Sequence, residues 1–68
     1  MAERYLLLES HPNFPTDCWV AKIGTRQEIQ EYIRGSVERG EEDYLDFVVP
    51  LEEGAKIEEI DEWLPEQE

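Results

Sequence analysis

Apolar residues change their spacing several times along this chain, and each change marks an element. Between Arg4 and Ser10 the unbroken run Tyr5-Leu6-Leu7-Leu8 predicts a strand at the centre of a sheet or covered on both faces. His11 to Asp17 holds Pro12 and Pro15 among turn formers, which predicts a loop, with Phe14 folded back onto the core edge. From Cys18 to Ile23, Trp19, Ala21 and Ile23 alternate with Cys18, Val20 and Lys22. This is the period of a second strand, ended by Gly24.

Thr25-Arg26-Gln27-Glu28 has the form of a capping box, so a helix starts there. Ile29, Tyr32, Ile33 and Val37 recur at helical spacing and predict its buried stripe, opposite Gln27, Gln30, Glu31, Arg34 and Glu38. Gly40 supplies a left-handed stop. After the acidic turn Glu41-Glu42-Asp43, Tyr44 to Leu51 predicts a third strand, in which Leu45, Phe47, Val49 and Leu51 alternate with Asp46, Val48 and Pro50. Pro50 cannot donate to a ladder, so this strand is an edge or ends there. Beyond the Glu52-Glu53-Gly54 turn, Ile57, Ile60 and Leu64 fall at i, i+3 and i+7, which predicts a short amphipathic helix over residues 55–64. A final strand is the weaker alternative. Pro65 closes that element and 66–68 form a frayed tail.

The expected order is β-β-α-β-α in one α+β domain spanning residues 1–68. A hairpin followed by a right-handed helical crossover gives a three-stranded, mainly antiparallel sheet of order 2-1-3. One face takes the main helix. The other is covered incompletely, by the C-terminal helix or by a second copy of the chain.

Charge adds a second layer to this picture. The chain has 18 acids and 6 bases, a net charge of −12, and the imbalance is one-sided. Residues 1–40 are nearly neutral at −1, whereas residues 41–68 hold twelve carboxylates and one base, Lys56, for −11. A field of one sign on one part of a molecule suits a basic partner. Direct binding of nucleic acid or an anionic membrane is disfavoured, because such partners are held by Lys and Arg. In the predicted C-terminal helix, Glu58, Glu59, Asp61 and Glu62 share the wet side within a rise of ~6 Å. Glu41, Glu42, Asp43, Asp46, Glu52 and Glu53 extend the surface, and Trp63 is a candidate anchor for a protein interface.

Other chemistry finds little support. Sixty-eight residues bury only roughly 60% of the unfolded surface, too little for a deep catalytic cleft. Glu41-Glu42-Asp43 with Asp46 lacks the spacing of a calcium loop, and no glycine-rich phosphate loop is present. His11 and Cys18 invite a Cys-His nucleophile reading, but nothing in the sequence fixes their geometry or supplies an oxyanion hole. No catalytic residue, metal or cofactor is therefore assigned. The single cysteine excludes an internal disulfide and points to the cytoplasm. The four-residue apolar run near the start is too short for a signal peptide or a transmembrane span.

In profile the chain resembles anti-CRISPR and other DNA-mimic proteins of phages, which are small, strongly acidic and without catalytic residues. The resemblance implies a protein inhibitor that binds a nucleic-acid-handling protein through carboxylates standing in for phosphates. The alternative is a structural or accessory interaction module, with a homodimer as one form of it, whose acidity serves solubility.

Overall fold

The apolar run of the first strand occupies the middle of the sheet, as its composition requires. In the computed structural model, which describes residues 3–64, the chain has an α+β fold. It comprises β1 (Tyr5–His11), β2 (Phe14–Gly24), α1 (Arg26–Glu38), β3 (Leu45–Pro50) and β4 (Glu58–Glu59). The sheet is antiparallel throughout, in the order β2-β1-β3-β4. Single 3-10 turns at Glu42–Tyr44 and Ile60–Glu62 precede β3 and follow β4.

Helix α1 begins at the predicted capping box. The Glu28 amide donates to Thr25 Oγ1 at 3.2 Å, and the Thr25 amide donates to Glu28 Oε1 at 3.0 Å. Those two bonds satisfy donors that the first turn leaves without helical partners, and they hold the Glu28 carboxyl below its usual range. At the other end Gly40 takes φ 73°, and the Gly40 and Glu41 amides donate to Val37 O and Ser36 O at 3.1 and 2.8 Å. This double closure is a Schellman motif, and glycine accepts its left-handed corner without a Cβ clash.

One face of the sheet packs against α1. Tyr5 and Leu7 of β1, Leu45 and Val48 of β3, Ile29 and Ile33 of α1, and Trp63 form the core. Of the predicted helical stripe, Ile29 and Ile33 are buried and Tyr32 and Val37 pack at its margin. Ser36 is fully buried beside them.

Three sequence expectations are corrected. First, residues 11–17 are not a loop. A tight Pro12-Asn13 turn joins β1 directly to β2, which starts at Phe14, four residues before Cys18. The ladder already skips residues 15–17 opposite Ser10 and His11, and β2 is an edge, so Pro15 costs no ladder bond. Phe14 is 59% exposed, leaning on the His11 ring at 5.1 Å rather than on the core.

Second, residues 55–64 do not form a helix, and the sheet has four strands in place of three. Glu58 pairs with Val48 and Glu59 with Phe47. A ten-residue helix carrying Glu58 above Glu62 is marginal by itself, while the free edge of β3 offers unpaired backbone groups. Third, the strict alternation expected in β3 breaks at Asp46, where Leu8 pairs with Phe47 but Glu9 pairs with Leu45. This bulge turns Val48 and Pro50 toward the core and leaves Phe47 and Val49 on the far side. The predicted close at Pro65 and the frayed tail at 66–68 lie outside the described residues.

Candidate protein-interaction surface

The predicted acidic residues gather along one side of the sheet. Glu42 and Asp43 lie in the 3-10 turn that enters β3, with Glu41 just before it. Glu52 and Glu53 follow the other end of β3. β4 then returns antiparallel beside β3, and the 3-10 turn that follows it carries Asp61 and Glu62. Of these ten carboxylates eight are exposed, and Asp46 and Glu58 are half-buried. The opposite edge, β2, holds one acid and one base, Asp17 and Lys22.

The arrangement differs from the helical row that the sequence suggested. Glu58 and Glu59 are neighbours on a strand and point to opposite faces. Glu58 faces α1, where its Oε1 accepts a hydrogen bond from Trp63 Nε1 at 3.0 Å. Glu59 stands on the far face beside Phe47. Glu41 pairs with Arg39 at 3.4 Å, but both side chains are about half exposed (54% and 51%), and such pairs contribute little.

Trp63, the expected interface anchor, is placed in the core instead, at 3% exposure. Its ring meets Tyr5 edge-on with centroids 5.1 Å apart, and the Arg26 guanidinium lies 4.4 Å above it. It fastens the C-terminal segment to the start of α1 and contributes nothing to an outer surface.

His11 and Cys18 are not brought together. Cys18 is exposed and pairs with Ser10 on the far face, whereas His11 shares the α1 side with Tyr44, 5.7 Å away, and its Nδ1 accepts from the Asn13 amide at 3.1 Å. Among the described residues no group of three His, Cys, Asp or Glu could hold a metal ion, and no pocket is enclosed. No helix among them is long and apolar enough to cross a membrane.

One feature was not read from the sequence. Glu9 is buried at 7% exposure in β1 and accepts a hydrogen bond from Trp19 Nε1 at 3.1 Å. Beside it, the Tyr32 phenol is pushed above its ordinary value, chiefly by burial and then by the Glu9 carboxylate. The signal was the alternation of Glu9 with the inward residues Tyr5 and Leu7. The far face of the sheet, expected to be covered incompletely by a C-terminal helix or a second copy, is covered by nothing among the described residues, because the segment after β4 packs on the α1 side instead. The register places Leu6 and Leu8 of β1, Val20 and Ile23 of β2, and Phe47 and Val49 of β3 there together. Val20, Ile23 and Phe47 are 50%, 49% and 39% exposed.

No protein-family model, curated protein or solved structure matches the chain.

Proposed function

We propose that the chain is a small acidic inhibitor that binds a basic surface of a nucleic-acid-handling protein, its β3–β4 side occupying the place of nucleic-acid phosphates. The observation that carries this reading is the return of β4 along β3. It brings Glu58 and Glu59 beside Val48 and Phe47, between the acids that stand at the two ends of β3. β3 has six residues and is roughly 17 Å long at ~3.4 Å per step. The ten carboxylates of this acidic band lie along β3 and beyond both its ends, so they are spread over a longer line than the one on which duplex carries about ten phosphate charges, at one per ~1.7 Å.

Mechanistically, the negative field speeds encounter, and carboxylate hydrogen bonds to Arg and Lys then compete with phosphates for the same groove. The proposal assigns binding and no catalysis. It is tested by capturing the partner on immobilised protein at low salt, eluting with a salt gradient, and competing the purified complex with duplex DNA. Affinity should fall at least tenfold between 50 and 500 mM NaCl, and duplex should displace the chain. Replacing Glu59, Asp61 and Glu62 by glutamine should weaken the complex further. An affinity indifferent to salt and to duplex refutes phosphate mimicry.

A further inference from the structure

We infer that the open sheet face is an interface with a second copy of the chain, forming a symmetric dimer in which two sheets stack and the helices lie outside. The molecule is one helix layer on one sheet layer, only 16 Å thick against 32 Å in its other two dimensions. Among the described residues its core has seven buried apolar side chains, all on the α1 side. Chains this small commonly complete their cores by association. Leu6, Leu8, Val20, Ile23, Phe47 and Val49 present a continuous apolar sheet face, the surface that packs at ~10 Å on another sheet.

The area fits a dimer, though a weak one. At ~4.8 Å between strands and ~3.3 Å per residue, the face covers on the order of 350 Å² in projection. Two copies together bury on the order of 700 Å² by this measure, below the ~1,200 Å² of stable specific interfaces, so the association is weak. Charge decides the occupant and the axis. On this face the paired positions of β1 to β4 carry a single carboxylate, Glu59 at the β4 margin. Recognition here is therefore apolar, and of the acids at paired strand positions only Glu59 reaches this face. A two-fold axis parallel to the strands lays β2 over the partner's β4 side, and an axis across them lays Glu59 on Glu59. The first keeps both acidic bands apart and outward, and it is the arrangement we assign. This inference is independent of phosphate mimicry.

Sedimentation velocity between 1 and 500 μM, with Cys18→Ser to exclude disulfide dimers, tests it. A monomer–dimer equilibrium is expected, tightening as NaCl rises from 50 to 500 mM because the two copies repel. Val20→Lys and Ile23→Lys, each at a half-exposed position that leaves the fold intact by circular dichroism, should weaken it at least tenfold. Gln30→Lys adds the same charge on the wet side of α1 and should not weaken it. A chain that stays monomeric to 500 μM in 500 mM NaCl overturns the proposal. So does association that Val20→Lys and Ile23→Lys leave intact. Salt sets the two failures apart, since dimerisation strengthens with salt and binding through the acidic band weakens.

Discussion

Replacing Trp63 by alanine tests whether the last described turn belongs to the cooperative fold. The side chain is 3% exposed, packs edge-on against Tyr5 at 5.1 Å, lies under Arg26 and donates to Glu58. Truncating a buried tryptophan costs about 3–5 kcal/mol. A 68-residue chain has a total stability of roughly 3–10 kcal/mol, so the variant should lose about a third of it or more. Trp63→Phe separates the contributions, because it keeps a ring against Tyr5 and loses the indole donor and part of the buried area. Its expected cost is about 1–2 kcal/mol, with Glu58, half-buried, falling back on water.

Urea unfolding followed by circular dichroism and by the remaining fluorophore, Trp19, measures both variants. The two probes should report one transition, with midpoints ordered wild type, phenylalanine, alanine. A Trp63→Ala protein within 1 kcal/mol of wild type refutes the reasoning. It would mean that residues 55–64 dock on a core that stands without them, and that β4 adds little to the sheet.

The remaining predictions concern the cap and two titrating groups. Thr25→Ala removes the hydroxyl that accepts from the Glu28 amide and should cost about 1 kcal/mol, a fall of ~4–8 °C in the thermal midpoint. A midpoint within 1 °C of wild type contradicts it. The folded-state pKa of Glu28 is depressed by its bonds to Thr25, so the stability it adds is present above pH 4.5 and lost as pH falls through the folded value. Thermal midpoints from pH 6 to 2 should therefore drop less in Glu28→Gln than in wild type, and parallel curves would argue against the linkage. Tyr32 runs the other way. Its folded pKa lies above 10.0, so its contribution is complete below pH 10 and disappears as pH climbs through the folded value. Absorbance titration at 295 nm should show one late phenol, absent in Tyr32→Phe and earlier in Glu9→Gln; an unshifted phenol in Glu9→Gln removes the carboxylate from the explanation.

What could be read from the sequence was what local chemistry dictates. β1 and its central place follow from Tyr5-Leu6-Leu7-Leu8, and the helix follows from Thr25, Glu28 and Gly40, because caps and stripes are fixed by neighbours three or four positions away. Errors arose where a partner strand decided. Pro12 and Pro15 read as a long loop, yet one belongs to the turn and the other lies in an edge strand where the ladder skips. Ile57, Ile60 and Leu64 have helical spacing, but the unpaired edge of β3 captured Glu58 and Glu59. Asp46 hides its bulge completely, because the shift shows only when Glu9 is set against Leu45. For the candidate surface the residues were legible and their arrangement was not: the acids were identified as a group, the row along a helix was wrong, and Trp63 went to the core.

The open face and the acidic band together define how the molecule could act on a large partner. They point in different directions, one along the sheet normal and one along its β3–β4 side. Stacking through the first, about an axis parallel to the strands, therefore places the second twice, on opposite flanks of a dimer. On the proposed dimer and the proposed basic partner, such a particle would engage two basic sites at once, and the second contact would form at an effective concentration set by the rigid spacing of the bands rather than by bulk concentration. The chain's occupancy of a partner with two sites should then rise more steeply than that of the monomeric Val20→Lys variant, whose band is intact. If Val20→Lys matches wild type on such a partner at every concentration, the two surfaces act separately and bivalence plays no part.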